Sequence, residues 1–416
     1  MTRARPSVPG PVAPTPDSER LLAPDLARGV MLLLIALAHS RMLHAGGNAY
    51  NAPAGGGPLD VAVQALLTSL VDGRAAPLFG FLFGYGLVQM TRRYSGPGGD
   101  PAGARRLIRR RGFWLIVFGV VHVVLLYSGD VIGSYGVISL LFAGAVAWSG
   151  RRLWAAAAVV LVVGAALAAV IQLGGGSEPP LPVGATLIES ALVRMTALPV
   201  LPVAAIAAAA PVFIGIWAAR MRLLEQPGRF RPLLRGVALI GFPVAVLGAL
   251  PVTLQAVDVW HPQSSTVVAA GFALFSATGI AGGLAYAATI ALVAVRVGNR
   301  RGRVTTALVA CGRRSMTFYI AQSPVWLVLT EPSLVGLHGE LGAATAAGIG
   351  VAAWVATVLV AGLLHRSGRR GPAEALIRRL TYRHRTTSGP SGTSSRRNET
   401  EPPTERWAAP DHGRTR

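Results

Sequence analysis

Long apolar runs separated by short charged breaks recur along the whole chain. A run of roughly 20 apolar residues is what crosses a bilayer as a helix. About ten runs meet or approach that length. They are approximately Leu26–Leu43, Ala75–Met90, Gly112–Tyr127, Val131–Trp148, Leu153–Leu173, Pro199–Ala219, Val237–Ala256, Val267–Val293, Ser315–Leu329 and Ala343–Leu364. The pattern predicts an all-α, polytopic integral membrane bundle. The stretches before Ala75 and before Ser315 are ambiguous. In the first, Leu59, Val63, Leu66 and Leu70 share one helical face, and Asp72-Gly73-Arg74 then interrupts the run. It reads equally as a short outer or re-entrant helix capping a cavity and as the start of a long tilted second span. Gly80 and Gly84 form a small-xxx-small pair, a surface for close packing against another helix.

Charge orients these spans. All 39 basic residues are Arg, and the net charge is +21. Loops facing the cytoplasm carry the positive excess. Thr91–Arg111 holds seven arginines, Arg220–Arg235 five, Arg296–Arg303 four and the tail after Leu364 twelve, with Arg151 and Arg152 at a further turn. The intervening loops hold Arg41, Arg74 and Arg194. The alternation places both termini in the cytoplasm of a bacterial inner membrane. It also argues against nucleic acid as a partner, since the arginines sit in alternate loops and form no groove interleaved with aromatics.

Composition agrees: 52% of residues are hydrophobic and 14% charged, against about 25% charged in soluble domains. The single cysteine, Cys311, excludes an intramolecular disulfide and a thiolate metal cluster. Residues 1–24 are Pro-rich and polar, and read as a disordered tail without the core of a cleavable signal peptide. The transmembrane domain covers 25–365. Gly371–Tyr382 has Leu376 and Leu380 four apart between arginines, as in a short amphipathic helix on an anionic leaflet. Residues 386–416 read as a disordered basic tail.

Ionisable groups within spans are expensive and are treated as functional candidates. In the first span Asp25, Arg28 and His39 fall on one stripe. Arg28 to His39 is eleven steps, which returns to nearly the same face about 16 Å along the axis. The plainer reading is a snorkelling Arg28, a capping Asp25 and a packing His39. Asp130 opens the fourth span, where an N-cap carboxylate is also a sufficient role, with Tyr135 just over a turn inside. His122 lies inside the third span and reads as a hydrogen-bonded packing residue. Arg313, Thr317, Tyr319, Gln322 and Ser323 crowd the ninth span more densely than helix packing needs. No two histidines have close metal-ligand spacing, so no metal site is expected. There is no nucleotide-binding glycine loop and no serine elbow with its strand–turn–helix context.

Four stretches then resemble the YeiB-like family of bacterial membrane proteins, whose C-terminal part is a domain of unknown function (DUF418), here about 220–385. They are Asp25-Leu26-Ala27-Arg28-Gly29, Leu78 to Gly84, Gly129-Asp130 through Tyr135, and Gly312-Arg313 to Gln322-Ser323 with Gly371-Pro372-Ala373-Glu374 and Arg379-Leu380-Thr381-Tyr382. The chain departs from the family's pattern at Phe318 and His39, where Asn is frequent. The Arg28–His39 spacing is similar to that of transmembrane acyltransferases of the O-antigen-acetylase type, in which that histidine is essential.

What the resemblance implies is acyl transfer from a cytoplasmic acyl-coenzyme A co-substrate to an extracellular glycan or lipid head group. His39, with Asp25 and Asp130, would carry the catalysis, and Arg28, Arg313, Tyr135, Thr317, Tyr319 and Gln322 would bind substrate. A transporter or flippase for an amphipathic cargo, using the same stripe without covalent chemistry, fits the same residues. So does a purely structural membrane protein.

Overall fold

The computed structural model describes residues 22–44, 56–94, 99–174, 184–298, 300 and 302–382. The expected tails, apart from residues 22–24 at the start of the first helix, lie outside the described residues. Among these, all regular structure is helical: α1 (Leu22–His44), α2 (Pro58–Leu66), α3 (Ala75–Thr91), α4 (Pro101–Leu125), α5 (Ile132–Leu141), α6 (Gly150–Leu173), α7 (Leu187–Met195), α8 (Leu201–Arg220), α9 (Arg231–Ala256), α10 (Ser265–Val297), α11 (Arg303–Gly312), α12 (Ser315–Thr330), α13 (Ala343–Arg366) and α14 (Pro372–Tyr382).

Each of the ten predicted runs falls on a helix. Among the described residues, seven stretches are long and apolar enough to cross a membrane: 22–44, 58–91, 150–173, 187–220, 231–256, 265–297 and 343–366. The other three runs fall short for identifiable reasons. The first half of α4 is filled with arginines, α5 ends after 10 residues in a 3₁₀ turn, and α12 has 16 residues. Large apolar side chains stand exposed on the outer helices, among them Val162 on α6, Leu239 on α9 and Leu359 on α13. Such a belt is stable only against lipid, so the chain is a multi-pass membrane protein.

The two ambiguous stretches each resolve into a separate short helix. α2 runs into a π-helical turn, Leu67–Val71, and stops at Asp72; Gly73 takes a positive φ of 71° and α3 begins anew. A substituted residue at Gly73 would meet the Phe275 ring as well as the left-handed backbone penalty. α11 likewise ends at Gly312, and α12 starts after Arg313-Arg314.

Helix α1 is the buried centre. Of its apolar window 67% lies inside the protein, against 11% for α6 and 17% for α13. It touches α3, α10, α11, α12 and α13. Its polar stripe therefore faces protein and not lipid. Close approach of backbones holds its neighbours in place. A Cβ on Gly29 would strike the Leu308 carbonyl of α11, and one on Gly312 would strike the Asp25 carbonyl of α1. The predicted Gly80/Gly84 surface packs on α8, with Gly84 against the backbone of Val212.

The arginine-rich turns are tied together at one end. Arg92 pairs with Glu225 at 2.5 Å, Arg220 donates to the carbonyls of Val146 and Trp148, and Arg314 donates to those of Ala310, Leu364 and Arg369. The three arginines of the opposite end are built into the fold. Arg41 pairs with Asp72, and both are buried. Arg74, also buried, donates to the carbonyls of Asp72 and Ala245 and lies 4.6 Å over the Phe275 ring. Arg194 reaches Glu331 at 3.3 Å, beside Ser190, whose hydroxyl donates to the same carboxylate at 2.5 Å.

Candidate functional site

Two polar layers sit along α1. The first lies at the arginine-rich end. Asp25 Oδ1 accepts from Arg28 at 2.9 Å, and its Oδ2 accepts from Arg313 Nε at 3.3 Å. The stripe predicted on α1 is thus joined by the guanidinium that follows α11, which the Gly29 and Gly312 contacts bring alongside. Arg111 lies within electrostatic reach of Arg28 and Glu374.

Thr317, expected on a substrate path, is engaged elsewhere. Glu374 of α14 accepts from the backbone N–H of Met316 (2.8 Å) and Thr317 (3.2 Å) and from the Thr317 hydroxyl (2.5 Å). The Thr317 hydroxyl in turn accepts from Ala373 N at 3.1 Å. Glu374 thereby caps the start of α12 from another helix, satisfying N–H groups that have no intrahelical partner. α14 buries Ile377 and Thr381 against the bundle and leaves Leu376 and Tyr382 exposed on the other side. Glu374→Ala is expected to weaken this docking by about 0.5–2 kcal/mol, the cost of a lost cap. Amide hydrogen exchange over 372–382 should rise while exchange in α1 and α10 stays unchanged.

The second layer gathers around His39, near the far end of the stripe. Its ring packs 4.6 Å from Tyr127, 6.3 Å from Trp326 and 6.5 Å from Tyr319, centroid to centroid. Tyr319 lies between two histidines, for its ring is also 5.3 Å from His122. His122 is buried in a chain of three groups. Its Nδ1 faces Asp130 Oδ1 at 3.0 Å, and its Nε2 shares a 2.7 Å hydrogen bond with the Ser323 hydroxyl.

Local structure explains how these groups meet. α4 and α5 form an antiparallel hairpin, and His122 and Asp130 flank its turn. The hairpin is tight because Gly119 and Gly133 touch; a Cβ on Gly119 would overlap the Gly133 backbone and the Asp130 carboxylate. Asp130 Oδ2 accepts from Gly133 N at 2.6 Å, so this side chain caps the first turn of α5 with one oxygen and faces His122 with the other. Capping and the contact with His122 are simultaneous here. On α12, Ser323 lies one turn beyond Tyr319. Pro324 follows it and cannot donate to the Ile320 carbonyl, which interrupts the helix ladder beside the serine.

Gln322 is buried with neither amide atom bonded to a partner among the described residues, and His39 Nδ1 is buried in the same condition. Unpaired polar groups at this depth are costly. Tyr135 serves the frame. Its hydroxyl donates to the Ala76 carbonyl at 3.0 Å, and its ring stacks on Phe79 and Phe83 at 4.8 and 4.9 Å. Gly119→Val is expected to cost about 1–3 kcal/mol by overpacking, and to separate His122 from Asp130 as the hairpin opens. Thermal unfolding in detergent measures the first effect.

Of the residues singled out in the sequence, Asp25, Arg28 and Arg313 come together in the first layer, and His39 and Tyr319 in the second. Asp130 joins the second layer through His122, and Gln322 is buried on the same turn of α12 as Ser323. Tyr135 and Thr317 are tied into helix contacts. The sequence reading missed the pairing of His122 with Ser323. The usable signal was the hairpin: a histidine and an aspartate placed on either side of a short turn face one another in antiparallel helices.

Comparison with known proteins adds relatives of the same kind. Residues 218–384 match the model described as "Protein of unknown function (DUF418)". The chain is 26% identical over 359 residues to "Uncharacterized protein YxaH" of Bacillus subtilis (strain 168), covering 78% of this chain and 83% of that protein. It is 31% identical over 126 residues to "Uncharacterized protein YeiB" of Escherichia coli (strain K12), 30% of each chain. These matches bear out the YeiB-like resemblance read from the motifs.

Proposed function

We propose that the chain, a multi-pass membrane protein similar over part of its length to DUF418 and YeiB-like proteins, is a membrane-embedded acyltransferase of the bacterial inner membrane. It takes an acyl group, in the simplest case acetyl, from a cytoplasmic acyl-coenzyme A and gives it to a hydroxyl or amine of an extracellular glycan or lipid head group. The observation that carries this reading is the second layer. Two imidazoles, one of them buried in an Asp–His–Ser chain, flank Tyr319 at the far end of a stripe that begins with Asp25, Arg28 and Arg313.

The spacing supports it. The two layers lie about 16 Å apart along α1. An extended pantetheine arm spans a distance of that order between its phosphates and its thioester. Arg28 and Arg313 present guanidinium groups suited to the donor's phosphates, and Asp25 holds both of them in place. His39 acts as general base toward the acceptor. Its ring is held by Tyr127 and Trp326, and its Nδ1 has no protein partner among the described residues.

The test is thiol release from acetyl-coenzyme A by the full chain in nanodiscs, supplied with extracted envelope lipids and glycans. His39→Ala is expected to lower the rate by about 10²-fold or more, the usual contribution of a general base. An unchanged rate would remove His39 from the chemistry. Movement of an envelope component without thiol release would favour the transport reading.

A further inference from the structure

We propose that Ser323 carries the acyl group as a covalent ester between donor and acceptor, with His122 and Asp130 as its activating pair. This rests on the acyl-transfer reading and assigns its reaction sequence.

Direct transfer from thioester to acceptor needs one base, and His39 can serve. It leaves the second imidazole without a task. Yet His122 is buried, faces a buried carboxylate with Nδ1 and bonds a buried hydroxyl with Nε2. In this assignment the Asp130 carboxylate, with Oδ1 3.0 Å from Nδ1, orients the ring so that Nε2, 2.7 Å from Ser323 Oγ, is the nitrogen that serves as base. A hydroxyl on a base that is oriented by a third group is the arrangement that turns a weak nucleophile into a strong one. Packing alone does not call for it, since an apolar trio of similar size would fill the space without the cost of burying three polar groups. The interrupted ladder at Pro324 and the unpaired amide of Gln322 lie next to the hydroxyl, where an incoming carbonyl needs room and a donor.

The steps balance. Ser323 Oγ bonds to the thioester carbonyl carbon as His122 Nε2 takes the hydroxyl proton. The C–S bond then breaks, and His122 returns the proton to the leaving sulfur, releasing a free thiol. In the second half the acceptor oxygen or nitrogen attacks the serine ester as His39 takes its proton. The C–Oγ bond breaks, and Oγ takes up the proton that His39 had accepted. Every side chain ends as it began. Two bases on either side of Tyr319 thus serve two half-reactions.

The experiment uses the full chain in nanodiscs with acetyl-labelled acetyl-coenzyme A, acid-quenched before any acceptor is added. The expected result is a burst of thiol of about one per protein, with label on the peptide that contains Ser323. Ser323→Ala should lose the label and, with envelope extract present, release thiol roughly 10³-fold or more slowly than wild type. Ser323→Cys should take the label as a thioester that neutral hydroxylamine removes, which separates loss of the nucleophile from loss of the fold. Wild-type turnover in Ser323→Ala would overturn the serine ester and leave acyl transfer standing on His39. No thiol release by wild type with any envelope extract would overturn both.

Discussion

Asp130→Asn is expected to lower acyl transfer by about 10³–10⁴-fold while leaving the protein folded. The amide is nearly isosteric with the carboxylate and can still accept from Gly133 N through its oxygen, so the start of α5 keeps its cap. What changes is the side facing His122. An amide nitrogen there donates to Nδ1, pushes the ring proton onto Nε2, and turns the nitrogen next to Ser323 from acceptor to donor. The hydroxyl then has no base. Asp130 acts through His122 and is a positioning residue, so the loss should fall on kcat with KM for the donor nearly constant. Asp130→Glu should recover part of the rate. A purely structural role for the pair would give parallel losses of stability and rate, and no rescue.

Asp72→Ala is expected to destabilise the protein by about 3–5 kcal/mol, the usual result of removing one partner of a buried ion pair. Asp72 is buried between α1 and the helix break before α3, paired with Arg41, and its carbonyl accepts from Arg74. Without its carboxylate the buried Arg41 guanidinium loses this anion beside a second buried guanidinium, Arg74. The loss should appear as a lower unfolding midpoint in detergent, and high salt should not restore it, because ions do not reach a buried site. Asp72→Ala combined with Arg41→Met should be more stable than Asp72→Ala alone. If the single variant unfolds like wild type, the pair contributes nothing to the fold.

The helices were legible because their signal is long and redundant. Each predicted run falls on one, and small-residue spacing marked Gly80 and Gly84 as a packing surface. The breaks at Asp72–Arg74 and Arg313–Arg314 were visible as polar interruptions. Whether they ended a helix depended on packing partners such as Phe275 that sequence spacing does not reveal. The stripe of Asp25, Arg28 and His39 was legible because one helix's own periodicity places it. Groups whose partners come from other helices were harder. Thr317 looked like a path-lining hydroxyl until Glu374, 57 residues later, was found on it. Tyr135 looked like a site residue and is fixed to Ala76. His122 reads in the sequence as a hydrogen-bonded packing residue, and it is buried and hydrogen-bonded, but its two partners, 8 and 201 residues away, lie on other elements and are not visible from spacing. Arg41, Arg74 and Arg194 counted as loop charges in the orientation pattern, yet each is held by buried groups. That explains why they can sit at the end that the other arginines avoid.

The most direct test of the account is sidedness. The full chain, reconstituted in one orientation in liposomes, would be given acetyl-coenzyme A labelled in both the acetyl group and the nucleotide on its arginine-rich side, with envelope glycan or lipid acceptors on the other. The account predicts that acetyl label appears on acceptor in the far compartment while nucleotide label stays behind, and that His39→Ala and Ser323→Ala both abolish the transfer. Acceptor that crosses unmodified, with the donor intact, would contradict it and make the same buried groups a cargo site.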